Sequence, residues 1–206
     1  MKFRFLFAII FVSSFALAET NFTIHKSVLD GESVSFIKHA GSGPMDNYLS
    51  MNIPFEPVAH LFADLLIEEQ RQLANRGESH ITVVTPLEFK NDLKEVGITI
   101  QEIDQIAENK MIQSSQYEIL CLGRGDADIN NKKESTFYLV VKSDNLLAIR
   151  EEIQKLFIAK GGNPEKFVAT HFYPHITLGF TSRDLHESDN VIKDINSCKA
   201  NVQVNP

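Results

Sequence analysis

Two stretches of this chain open an apolar run with His-Ile-Thr: Ser79-His-Ile-Thr-Val-Val-Thr-Pro86 and Pro174-His-Ile-Thr-Leu-Gly-Phe180. In an extended strand, side chains at i and i+2 share a face, so His80 and Thr82 point one way while Ile81 and Val83 point the other. His175 and Thr177 repeat the arrangement over Ile176 and Leu178. Two such strands facing a shared cleft would present two imidazoles and two hydroxyls to one ligand. That set suits a phosphodiester. One imidazole near neutrality takes a proton from attacking water while the other gives one to the leaving oxygen. The threonine hydroxyls donate to the non-bridging oxygens as charge builds. Neither a metal ion nor a covalent nucleophile is needed for that scheme.

With seven histidines and nine threonines in 206 residues, chance supplies about 0.3 His-x-Thr matches, so a pair, each opening a predicted strand, stands above background. His25-Lys-Ser27 and His186-Glu-Ser188 fit a looser His-x-Ser pattern, but their polar, non-strand context makes them surface residues. Tyr173, two residues before His175, shares the cleft-facing side of a continuous strand. It is a candidate to stack on a base or donate to phosphate, with a place on the rim of the core as the alternative. Phe172 is expected to pack inside. His171 and His175 are four apart, but Pro174 rules out helical metal ligation. No carboxylate stands at matching spacing, so no metal is assigned. Ala40-Gly-Ser-Gly43 lacks the first glycine of a serine nucleophile elbow.

The elements that must position these residues are legible as periodicities. Glu32 to Lys38 alternates like an exposed strand, followed by a glycine- and proline-bearing loop over 39–47. Tyr48 to Ile53 reads as a strand stopped by Pro54. Val58, Leu61, Phe62, Leu65, Leu66 and Leu73 recur at helical spacing over 57–75, with Gly77 as the stop signal. Residues 87–115 predict two short helices broken at Gly97, the second opened by a Thr99–Glu102 capping box. Tyr117–Leu122 and Thr136–Lys142 predict strands separated by a polar loop, GRGDADINNKKE, whose Arg-Gly-Asp is turn chemistry. Asp144 is the expected cap of a helix ended by Gly161-Gly162. A short helix after Ser188 and a strand from Ala200 to Val204 complete the chain. The order strand (48–53), helix (57–75), His80 strand matches strand (136–142), helix (144–160), His175 strand, a two-fold repeat in architecture.

His80-Ile-Thr-Val-Val84 and Pro174-His-Ile-Thr-Leu-Gly179 resemble the paired signatures of the two-histidine (2H) phosphoesterase superfamily, which includes the 2′-5′ RNA ligase-like proteins and the cyclic phosphodiesterases. The likeness covers roughly residues 45–182 in order and spacing and is strict only at the two motifs. The motifs alone do not separate the branches, the Swiss Army Knife RNA-repair-like branch among them. The resemblance implies an α+β, bilobal, pseudo-two-fold fold with antiparallel sheets lining a central cleft and helices outside, the lobes meeting around residues 80 and 175. It implies metal-independent hydrolysis, without a cofactor, of a 2′,3′-cyclic phosphate or a 2′-linked phosphodiester. His80 and His175 would be the acid–base pair, and Thr82 and Thr177 the phosphate binders. A non-catalytic protein of the same fold that holds a nucleotide or RNA end is the other expectation.

The rest of the sequence bounds the partner. MKFRFLFAIIFVSSFALA (1–18) has the layout of a secretory signal peptide, too short in its apolar stretch for a membrane span. Export to a periplasm or the medium is therefore expected, with residues 19–44 an N-terminal strand and loop and 45–206 the main domain. The formal charge is −7, or −9 once Lys2 and Arg4 are removed. So acidic a chain is not expected to bind a long nucleic-acid tract, although a nucleotide or RNA-terminal phosphate fits a local pocket. No membrane contact beyond the leader and a monomer are expected. In an oxidising compartment Cys121 and Cys198 are expected to form one disulfide, two free buried thiols being the alternative.

Overall fold

A computed structural model describes residues 21–206; the leader assigned to residues 1–18 lies outside them. Strands β1 (Asn21–His25), β2 (Leu49–Asn52), β3 (His80–Val84), β4 (Glu118–Ile129), β5 (Lys132–Lys142), β6 (His175–Phe180) and β7 (Cys198–Asn205) form one sheet, in the order β1-β7-β4-β5-β6-β3-β2. Helices α1 (Phe55–Glu69), α2 (Pro86–Glu88), α3 (Ile100–Asn109) and α4 (Asp144–Ala159) complete an α+β fold. No described helix is long and apolar enough to cross a membrane.

The expected repeat is present in the register. Across β2 and β3, Asn52, Met51 and Ser50 face His80, Ile81 and Thr82. Across β5 and β6, Val140, Leu139 and Tyr138 face His175, Ile176 and Thr177. β3 and β6 are antiparallel neighbours joined at Ile81 and Ile176. The central run β5-β6-β3-β2 is therefore the same strand pair written twice about that join, each pair linked by its own helix, α4 or α1.

Alternation decides which face is buried. Ile81, Val83, Ile176 and Leu178 are at most 1% exposed and share one apolar cluster with Val58, Leu61 and Leu65 of α1 and Leu146, Ile149 and Ile153 of α4. The helices thus cover the face opposite His80, Thr82, His175 and Thr177. Burying each such aliphatic side chain contributes about 1.5–3 kcal/mol.

Several expected elements differ. Residues 32–38 form no strand, only a short 3-10 turn over Gly31–Ser33. The Gln113 carboxamide donates to the carbonyls of Gly31, Val34 and Asn52, supplying the partners a ladder would have provided. The N-terminal strand lies earlier, as β1, and pairs parallel to β7. α1 ends at Glu69, because Gln70 takes the left-handed conformation (φ 48°). The chain then leaves the helix so that Ala74 can exchange two backbone hydrogen bonds with Phe180. The region 86–96 is a mixed helical turn with a π segment at Phe89–Leu93, capped by Gly97 at φ 79°. The Thr99–Glu102 capping box is present. The expected loop GRGDADINNKKE is instead the end of a long hairpin, since Asn130 and Asn131 both adopt positive φ and turn the chain in two residues. Arg124 and Asp126 of its Arg-Gly-Asp pair with each other along β4. Ser143, not Asp144, caps α4, accepting from the Leu146 N–H. In place of the short helix expected after Ser188 there are only 3-10 turns, Glu187–Asp189 and Ile195–Ser197. Cys121 and Cys198 form a disulfide at a Cα separation of 5.7 Å.

Candidate active site

On the face of the sheet away from α1 and α4 lies a cleft of about 930 Å³. His80, Thr82, His175, Thr177 and Tyr173 all line it. Because β3 and β6 are antiparallel and meet at Ile81 and Ile176, His80 is carried next to Thr177 and Thr82 next to His175.

The two halves carry different surroundings. The His80 Nδ1–H donates to the Glu78 carboxylate at 2.7 Å. Burial alone would push the Glu78 carboxyl up, but this hydrogen bond and the ring's charge hold it below its ordinary value. Tyr48 lies 6.1 Å from His80, centroid to centroid, and is itself stacked on His39 at 3.9 Å. Among the described residues, Thr82 makes no side-chain hydrogen bond.

On the β6 side, the His175 Nδ1–H donates to the Tyr173 carbonyl at 2.8 Å, while Nε2 lies 3.1 Å from Lys193 Nζ. Lys193 is 3% exposed and donates to Asp184 Oδ1 at 2.7 Å. Asp184 also accepts from Thr136 at 2.6 Å, from Thr177 at 3.1 Å and from Arg76 at 3.4 Å. Burial of two charges costs several kcal/mol each, which only such a full set of partners offsets. His175 is pushed down to about 3, by burial and then by the Lys193 ammonium. Burial raises Asp184, but Lys193 and Thr136 hold it well below the carboxylate range. Burial lowers Lys193, against the pull of Asp184.

Three attachments hold this network in place. Val191 packs against Gly125, where any side chain would collide with it. Arg183 pairs bidentately with Asp189 at 2.8 and 2.6 Å, and the disulfide anchors Cys198. Arg76 arrives through the Ala74–Phe180 bridge.

All five candidate site residues, His80, Thr82, His175, Thr177 and Tyr173, lie at the cleft, and His25 and Ser27 lie away from it. Tyr173 sits just ahead of β6, with its ring edge-on to His171 at 5.3 Å. Phe172 is partly buried against the core, beneath the Arg150 guanidinium at 5.0 Å. His171 is exposed and pairs with Glu187 at 3.0 Å, apart from His175. His186 is exposed as expected, yet it too lines the cleft. Glu78, Arg76, Asp184 and Lys193 were not found from sequence. Only Glu78 carried a signal, standing two residues before His80 on the same face of an extended chain. Among the described residues no three His, Cys, Asp or Glu side chains gather as a metal site requires.

A family model described as "Swiss Army Knife, 2H phosphoesterase domain" matches residues 47–186. No curated protein and no solved structure matches the chain.

Proposed function

The chain belongs to the 2H phosphoesterase family, in its Swiss Army Knife form, and as such is a phosphoesterase; from this we propose that it hydrolyses a 2′,3′-cyclic phosphate or a 2′-linked phosphodiester at a nucleotide or RNA end. The observation that carries the reading is the placement of His80, Thr82, His175 and Thr177 on neighbouring strands over one cleft. One imidazole takes the proton of an attacking water, the other protonates the leaving oxygen, and hydroxyl and cationic groups hold the non-bridging oxygens. The scheme is metal-independent. About 930 Å³ suits a nucleotide or an RNA terminus. The acidic chain disfavours a long nucleic-acid tract. Export into an oxidising compartment is part of the proposal and is supported by the Cys121–Cys198 bridge; a monomeric state is proposed with it.

Incubating the protein with 2′,3′-cyclic nucleotides and following products by phosphorus NMR tests it. Turnover is expected, with His80→Ala and His175→Ala each lowering kcat by about 10²–10⁴. Unchanged rates in both variants, or loss of activity on adding a chelator, overturn the mechanism. A cyclic nucleotide that raises the melting temperature but is recovered uncleaved indicates a binding protein instead.

A further inference from the structure

The two His-x-Thr strands are alike in sequence and register but not in what faces their rings. Lysine is a donor only, so the contact between Lys193 Nζ and His175 Nε2 requires that nitrogen to accept and therefore to carry no proton. The carbonyl of Tyr173 is an acceptor only, so Nδ1 must carry the proton. Two contacts on opposite edges of the ring thus select one neutral tautomer. His80 has the reverse environment, with the carboxylate of Glu78 at Nδ1. A doubly protonated His80 keeps both that hydrogen bond and a counter-charge, whereas a doubly protonated His175 would meet an ammonium head-on.

We propose that Lys193, anchored by Asp184, is a positioning residue that divides the labour between the two histidines: it holds His175 as the neutral ring that accepts a proton and leaves His80, backed by Glu78, as the ring that donates one. The assignment rests on the phosphodiester reading above for its catalytic meaning, but the state of the His175 ring does not depend on it. Lys193 lies beyond the residues that match the family model, 47–186, whereas Asp184, which anchors it, lies within them. The groups facing His175 are Lys193, Asp184 and His186 from the segment after β6, the Tyr138 ring of β5 and the Tyr173 carbonyl. Burial and Lys193 outweigh Asp184 in holding the ring neutral. The Lys193 ammonium is also steadied over the face of Tyr138, 5.2 Å from its centroid.

The cycle balances. An arriving phosphodiester offers Lys193 a charged acceptor in place of the neutral nitrogen and so frees Nε2. That nitrogen then takes a proton from water as the water oxygen bonds to phosphorus. The bond from phosphorus to the leaving oxygen breaks, and the His80 imidazolium supplies that oxygen's proton from Nε2. Proton exchange with solvent restores both rings.

The test is a nitrogen-15 NMR titration of the histidine rings in the wild-type protein and in Lys193→Met. In the wild type the His175 signals are expected to keep the Nδ1–H tautomer well below pH 5, and in Lys193→Met to titrate at least one pH unit higher. Lys193→Arg is expected to restore the wild-type titration. If Lys193→Met does not fold, the double variant Lys193→Met/Asp184→Asn replaces it, with an upward shift still expected because Lys193 outweighs Asp184. A folded variant whose His175 titrates as in the wild type overturns the proposal, as does a wild-type ring found protonated at Nε2. Absence of turnover on cyclic phosphates with the NMR result intact removes the substrate reading and not the positioning role. Where turnover exists, the acid limb of kcat/KM must move up by the same amount, which a merely structural lysine would not cause.

Discussion

At the scale of single residues, Thr82 and Thr177 show how one motif acquires two energetic roles. The Thr177 hydroxyl donates to the buried Asp184, whereas Thr82 makes no comparable contact among the described residues. Removing a hydrogen bond to a charged, buried acceptor costs about 1.5–3 kcal/mol. Thr177→Val is therefore expected to lower the melting temperature by several degrees, at about 2–4 °C per kcal/mol for a domain of this size. Thr82→Val is expected to leave it almost unchanged and to weaken activity alone. Thermal melts of the two variants side by side check this, and equal losses would contradict it. The His-Ile-Thr motifs were legible because both signals are local: residue type and a period of two. Asp184 and Lys193 were not, because they sit 7 and 16 residues beyond Thr177 in irregular chain and acquire meaning only from their partners.

At the scale of elements, the segment between β6 and β7 carries Asp184, His186 and Lys193 without regular secondary structure to hold it. Its rigidity comes from the Arg183–Asp189 pair, Val191 over Gly125, and the disulfide. Cys121 and Cys198 close a loop of 77 residues in separation, and such a link typically contributes about 2–4 kcal/mol. The double variant Cys121→Ser/Cys198→Ser should lose that much in urea denaturation. Hydrogen exchange should rise first in β7 and in β1, whose strand pairing is to β7. Uniform loosening throughout the sheet would argue that the bridge acts only on the unfolded chain. The loop misassigned at GRGDADINNKKE teaches a related point. Polar composition argued for a loop, but two asparagines able to adopt positive φ allow a tight turn, and strand pairing then extends through Gly125, where Val191 docks.

At the scale of the whole molecule, buried imidazoles couple stability to pH. His175 is pushed down to about 3 in the fold against an ordinary 6.5, so between those values the unfolded chain binds a proton that the folded chain does not. Stability therefore rises with pH through that window and is lost as pH falls below about 6.5, by up to about 1.4 kcal/mol per pH unit for each such group. Burial lowers the half-buried His39 as well, and it acts in the same direction. Asp184, held below its ordinary value, adds its loss only at lower pH. Urea denaturation at pH 7 and pH 4.5 should show a lower midpoint in acid and a shallower dependence in His175→Gln. A flat profile in the wild-type protein would contradict the burial of a neutral ring.

The sequence alone determined the two His-x-Thr strands, the strand–helix–strand repeat that carries them and the family they belong to, all of which rest on short-range periodicity. The Cys121–Cys198 bond, in contrast, was settled only by the 5.7 Å Cα separation in the fold. Tertiary structure alone decided that the repeats meet at Ile81 and Ile176, that the two histidines have unlike partners, and that Lys193 reaches one of them. The physical reason is that a strand's period says which side chains share a face. Desolvation and charge at that face depend on groups brought in from distant loops, whose contribution no local pattern encodes.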